Sequence, residues 1–132
     1  MKEKYILDEF EFNYPSLYAD AIDFIPRGPY GMIVKTKEGK VFDYYVLDNT
    51  VSPLPPDSKN MSNEERQKLF GKSLYRIMYR LGVSQAELSR ETGITQTMLS
   101  RYITGKSNPS FCNVDKIIKT LGCSYKELTY DY

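Results

Sequence analysis

Ser84-Gln85-Ala86-Glu87-Leu88-Ser89-Arg90-Glu91-Thr92-Gly93-Ile94-Thr95-Gln96-Thr97-Met98-Leu99-Ser100-Arg101-Tyr102-Ile103-Thr104-Gly105-Lys106 decides the fold of this chain. It reads as two short helices around a glycine. Ser84 and Glu87 have capping-box spacing, in which the hydroxyl takes an orphan N–H and the carboxylate reaches back. Gly93 ends the first helix, where reversal of the chain favours left-handed φ. Thr95 can cap the second helix, which reaches Ile103 and is closed by Gly105. Leu88, Ile94, Leu99 and Tyr102 are spaced to pack the helices together. Ser89 faces the neighbouring helix, where a small side chain permits close crossing. The second helix then exposes Gln96, Thr97, Ser100, Arg101 and Thr104, all polar and none acidic.

Two helices of about two turns joined in this way form a helix-turn-helix layout, whose second helix enters the DNA major groove. Glutamine can pair in bidentate fashion with adenine, and arginine with guanine. Further helices flank the pair. Ser62-Asn63-Glu64-Glu65 is a capping box that opens a helix to about Leu81, with Phe70, Leu74, Ile77, Met78 and Leu81 on one face. Gly82 ends it. Ser110 can cap a helix carrying Val114, Ile117, Ile118 and Leu121, ended by Gly122. Ser124-Tyr125-Lys126-Glu127 starts a last short one.

Over about residues 66–128 the sequence resembles the lambda-repressor/Cro-like (XRE) family. Leu74, Ile77 and Leu81-Gly82-Val83-Ser84-Gln85 look like that family's helix 1 and the start of its helix 2. Gly105-Lys106-Ser107-Asn108-Pro109-Ser110 looks like its loop to helix 4, and Leu121-Gly122-Cys123-Ser124 like its link to helix 5. Ser89 stands where the family often has alanine. The resemblance implies a DNA-binding transcriptional regulator of bacterial, phage or mobile-element origin, expected to be a repressor; with neither a membrane span nor a secretory signal in the sequence, the expected location is cytoplasmic. It implies that Gln85 clamps phosphate, with help from the helix N-terminus. Gln96, Thr97 and Arg101 match base-reading positions, and Ser100 lies between them. Lys106 and Asn108 fall in a loop that meets phosphate. Thr95 and Thr104, at the two ends of the second helix, complete the expected DNA-binding set.

The first half reads as β-rich. Phe10-Glu11-Phe12-Asn13-Tyr14 alternates as a half-buried strand does. Ala19 to Ile25, Tyr30 to Lys37 and Val41 to Leu47 predict further strands, the first stopped at Pro26-Arg27-Gly28-Pro29 and the last two joined by a hairpin at Glu38-Gly39. Pro53-Leu54-Pro55-Pro56 can continue neither strand nor helix. The expected architecture is therefore α+β: a β-rich domain over 1–52, a Pro-rich linker over 53–61, and an all-α five-helix domain over 62–132. Ala21-Ile22-Asp23-Phe24-Ile25-Pro26, Ile33-Val34-Lys35 and Glu38-Gly39-Lys40-Val41-Phe42-Asp43 resemble, over about 18–50, a small β-rich domain that precedes such helix-turn-helix domains in bacterial and phage proteins. That likeness implies no known activity.

Composition narrows the function classes. With 41% hydrophobic and 27% charged residues the chain has a globular makeup. The net charge of +1 conceals an asymmetry: residues 1–59 hold 7 basic and 10 acidic residues, residues 60–132 hold 11 and 7. The basic half is the one that suits nucleic acid. No apolar run is long enough to span a membrane, and the opening Met1-Lys2-Glu3-Lys4 is not a secretory signal. Histidine is absent, and Cys112 and Cys123 are not in a CxxC pair. No metal site, cofactor or catalytic residue is expected, and both thiols are expected as apolar fillers.

Expected partners are double-stranded DNA and a second copy of the chain. One helix-turn-helix reads too short a half-site for useful specificity, so a homodimer on DNA follows. The tail Tyr130-Asp131-Tyr132, the later helices and the strand edges offer pairing material. Tyr75 and Tyr79, off the core stripe, suit either an interface or a seal between the two halves. An alternative reading is an antitoxin or adaptor whose N-terminal domain binds a protein partner while the helices bind DNA.

Overall fold

Spacing along the chain separates helix from strand in the first twenty residues. A strand would put Phe10, Phe12 and Tyr14 on one face; a helix puts Ile6, Phe10 and Tyr14 together and turns Phe12 away. The computed structural model describes residues 2–132, so Met1 of the opening stretch lies outside them. It shows a helix, α1 (Lys2–Asn13), where the alternation had predicted a strand. Ile6 and Phe10 are buried, whereas Phe12 is 83% exposed. Five residues of alternation are too few to outweigh the i, i+4 repeat that starts at Ile6 and runs through Phe10 to Tyr14.

The chain divides into two compact units, one running to Asn60 and including Tyr132, the other Met61–Asp131. In the first, α1 and α2 (Pro15–Asp20) precede an antiparallel sheet of order β1-β2-β3-β4. Its strands are β1 (Ala21–Arg27), β2 (Gly31–Thr36), β3 (Val41–Tyr45) and β4 (Thr50–Leu54). Pro15 starts α2 at a position that lacks an N–H partner anyway. Met32, Val34 and Tyr44 form a core with Ile6 and Phe10. Phe10 meets Tyr44 at 4.9 Å between ring centroids. Burial, followed by the nearby Glu9 carboxylate, pushes the Tyr44 hydroxyl up to about 12. Successive strand residues alternate faces, so Ile33 and Asp43 point away from this core; both are fully buried. Asp43 pairs there with Arg27 at 3.7 Å.

Two strand expectations need correction. β1 does not stop at the Pro26 cluster but runs through it to Arg27, and β4, unexpected, runs through Pro53. Both are edge strands, where a missing N–H need not break a ladder. The hairpin at Gly39 forms as expected, with φ +80°. The turn into β4 is held by Asn49 at φ 52°, whose backbone carbonyl accepts from the Tyr14 hydroxyl at 2.7 Å. Ser58 in a 3-10 turn (Ser58–Asn60) donates to the Tyr132 carbonyl at 2.6 Å, and the Tyr132 hydroxyl donates to the Pro55 carbonyl at 2.6 Å.

The second unit consists of α3 (Asn63–Leu81), α4 (Gln85–Thr92), α5 (Gln96–Ile103), α6 (Phe111–Leu121) and α7 (Tyr125–Leu128). The capping boxes at Ser62 and Ser124 are complete. That at Ser84 is half formed: Ser84 accepts from the Glu87 N–H, while the two side chains meet each other at 3.1 Å. Gly82 and Gly122 end α3 and α6 in the left-handed conformation. Phe70, Leu74, Ile77, Met78, Leu88, Leu99, Val114, Ile117 and Leu128 form one core. Each fully buried side chain of this kind contributes about 1.5–3 kcal/mol. Leu81 departs from the expected stripe and is exposed. Tyr130 is buried rather than available for pairing, its hydroxyl meeting that of Ser73 at 3.4 Å. Tyr75 and Tyr79 are exposed and stack on each other. Cys123 fills core as expected, but Cys112 is exposed.

Candidate nucleic-acid interface

The turn between α4 and α5 is built from side chains as well as from its glycine. Gly93 sits at φ +78° with open space around its missing Cβ, so conformation and not crowding calls for glycine. Ser89 donates to the Ile94 carbonyl at 2.6 Å, so it does more than leave room for a close crossing. Thr92 donates to the Leu88 carbonyl at 2.6 Å, and its oxygen accepts from the Ile94 N–H at 3.1 Å. These bonds tie α4 to the first residues of the turn. Thr95 then caps α5 by accepting from the Met98 N–H at 3.2 Å.

Packing fixes the rotation of α5. Leu99 and Tyr102 are buried, and the Tyr102 hydroxyl accepts from Asn113 of α6 at 2.8 Å. On α3, Gly71 lies so close that a Cβ there would stand 2.4 Å from the Tyr102 and Ile103 carbonyl oxygens. At the end of α5, a Cβ on Gly105 would stand 2.9 Å from Lys68 Cα. Two glycines thus seat the C-terminal end of α5 against α3, and its other face is left to solvent.

That face carries Gln96, Thr97, Ser100, Arg101 and Thr104, all exposed. Together with Lys106 they line a shallow concavity of about 460 Å³. No carboxylate lines it. Not every polar group on the face is equally available. Thr104 donates to the Ser100 carbonyl at 2.8 Å. Arg101 donates from Nε to Ser107 Oγ at 2.8 Å and from Nη2 to the Lys106 carbonyl at 3.3 Å. Three expected residues lie outside the concavity. Gln85 is half-buried at the first position of α4, and the Thr95 hydroxyl serves the α5 cap. The Asn108 amide donates to Asn63 at the start of α3. A second cleft of about 480 Å³, lined by Arg66, Phe70, Val114, Tyr125 and Tyr130 among others, lies elsewhere in this unit. Met61, Leu69, Phe70, Val114 and Leu128 contribute to the wall of that cleft and Asp131 adds a carboxylate, whereas every residue lining the α5 concavity is polar and none is acidic. Among the described residues no group of His, Cys, Asp or Glu could hold a metal ion, and no helix is long and apolar enough to cross a membrane.

A polar, acid-free helix surface held after a left-handed glycine turn is the geometry of a helix-turn-helix. Residues 74–128 match the helix-turn-helix family HTH_3. The match spans α4, the turn and α5 in full, together with α6 and α7. No curated protein sequence matches the chain. Among solved structures, the restriction-modification controller protein C.AhdI from Aeromonas hydrophila is 26% identical with a TM-score of 0.45, over 47% of this chain and 94% of its own. An HTH_3 family transcriptional regulator from Vibrio cholerae is 21% identical with a TM-score of 0.49, over 51% of this chain and 38% of its own. A hypothetical transcription factor NHTF from Neisseria is 23% identical with a TM-score of 0.46, over 52% and 79%. Ahead of the helix-turn-helix stands the four-stranded sheet, so the fold class is α+β, as the sequence predicts.

Sequence reasoning missed two residues that shape this helix-turn-helix surface. A glycine inside a long helix costs about 1 kcal/mol relative to alanine, and that anomaly at Gly71 was the available signal of a close approach. Ser107 gave no such signal, since loop serines are common for turn reasons alone.

Proposed function

We propose that the protein is a sequence-specific double-stranded DNA-binding transcriptional regulator, with α5 lying in the major groove. The observation that carries this reading is the α5 face: polar side chains around a shallow concavity, none acidic, on a helix whose rotation is fixed by packing. Gln96 and Arg101 are the base-reading residues, with Thr97 and Ser100 beside them. Gln85 and Lys106 take phosphates, Gln85 with the N–H groups that open α4. Asn108, Thr95 and Thr104 support the backbone that presents these groups. The chain acts as a homodimer on a roughly palindromic site, its recognition helices roughly 34 Å apart.

Selection of bound duplexes from a random pool tests the reading. Enrichment of one two-fold-symmetric motif is expected. Arg101→Ala and Gln96→Ala should each cost about 1–3 kcal/mol on that motif and little on random DNA. Retention of all duplexes alike would overturn the proposal.

A further inference from the structure

We propose that Ser107 is a positioning residue for base readout: with the Lys106 carbonyl it braces one edge of the Arg101 guanidinium and leaves the opposite fork to a guanine. The inference rests on the reading of α5 as the base-reading helix. A guanidinium is a rigid plane with five N–H donors. Nε and one hydrogen of Nη2 share one edge; Nη1 and the other hydrogen of Nη2 form the end fork. Ser107 Oγ at 2.8 Å and the Lys106 carbonyl at 3.3 Å both sit on the first edge. The end fork, with its two parallel donors, is the edge that matches guanine O6 and N7.

The brace stands on firm backbone. Lys106 N–H donates to the Arg101 carbonyl at 2.8 Å and Gly105 N–H to that of Tyr102 at 3.2 Å. Gly105, at φ +73°, lies hard against Lys68 of α3. Ser107 itself is half-buried. An exposed arginine otherwise loses rotamer freedom when it binds, at a cost of about 2- to 10-fold in affinity. A brace formed before DNA arrives removes part of that cost, and it does so for the guanine-facing orientation.

The test uses the full chain, the selected duplex, and duplexes changed at the position whose base preference disappears in Arg101→Ala. Ser107→Ala should weaken binding to the selected duplex about 2- to 10-fold and flatten the guanine preference at that one position. The salt slope should not move, because no phosphate contact is lost. Ser107→Thr, which keeps the hydroxyl, should restore the preference. In an Arg101→Ala background, Ser107→Ala should add nothing. An undiminished guanine preference in Ser107→Ala, beside a clear loss in Arg101→Ala, would overturn the brace while leaving base readout intact. Equal weakening on every sequence, persisting without Arg101, would make Ser107 a general loop residue. If Arg101→Ala itself weakens all sequences alike, the underlying reading of Arg101 fails and the brace with it.

Discussion

Gly71→Ala sets two opposing effects of known size against each other. In an open helix the change would stabilise by about 1 kcal/mol through helix propensity. Here the new Cβ would lie 2.4 Å from two backbone carbonyl oxygens of α5 and 2.9 Å from the Ile103 carbonyl carbon. Ordinary C–H···O contacts keep carbon and oxygen roughly 3.3–3.6 Å apart, so α3 and α5 must separate by about 1 Å. Backbone atoms cannot swing aside as a flexible side chain would. Overpacking of this kind costs typically 1–3 kcal/mol, occasionally more, and the absence of any yielding neighbour puts this site at the upper end. The expected net loss is about 1–2 kcal/mol after the propensity gain. For a unit of this size that lowers Tm by roughly 5–15 °C. Circular dichroism during thermal and urea unfolding reads the loss, and titration with the selected duplex reads the displaced helix. A Gly71→Ala protein as stable as the parent, or more so, would refute the close seating of α5 and the reason given for this glycine.

Gln85→Ala and Lys106→Ala should weaken binding to every sequence alike; only the lysine change should reduce the salt slope, by about one unit. An unchanged slope in Lys106→Ala would remove that lysine from the phosphate backbone. A fragment from Asn60 to Tyr132 should fold cooperatively and select the same DNA motif, because the core around Leu74, Leu88 and Ile117 lies wholly within it; a fragment without a cooperative transition would count against this. At pH 8 a disulfide reagent should titrate Cys112 promptly and Cys123 only slowly. Burial pushes the Cys123 thiol up from 9.0 to about 11, which leaves about one thiolate in a thousand at that pH. Since the folded chain holds this proton longer than the unfolded one, the thiol's contribution to stability is intact below pH 9 and lost as pH rises through 11. Two thiols reacting at equal rates would show that Cys123 is not shielded.

The helical half was legible in the sequence because each of its boundaries is written locally. Ser62, Ser84, Thr95, Ser110 and Ser124 all accept from the N–H three residues on, and Gly82, Gly93 and Gly122 all take left-handed φ. Leu81 escaped this logic, since a periodic stripe does not say where the packed region stops. The first unit was less legible because its signals are short or tertiary. Whether Phe10 belongs to a strand or a helix depends on Ile6, outside the five alternating residues, which sets the i, i+4 repeat continued by Tyr14. Whether Pro26 and Pro53 end their strands depends on which strands lie at the edges, which no local window contains. On the α5 surface, the exposed set followed from burying Leu99 and Tyr102. What did not follow was the engagement of those groups: the bond from Arg101 to Ser107 depends on the path of the loop between them, and that from Asn108 to Asn63 joins residues 45 apart in the sequence.

The two prolines within the strands bear on assembly. Pro26 lies opposite Met32 and Pro53 opposite Phe42, so one proline sits in each outermost strand. A further strand arriving at either border, from a second copy or from a foreign peptide, finds a donor missing where continuous pairing would need one. The sheet is therefore a poor template for its own extension, which guards a β-rich segment against edge-to-edge aggregation at high concentration. If two copies of this protein join on DNA, they should do so through side-chain surfaces, and the sheet should stay four strands wide.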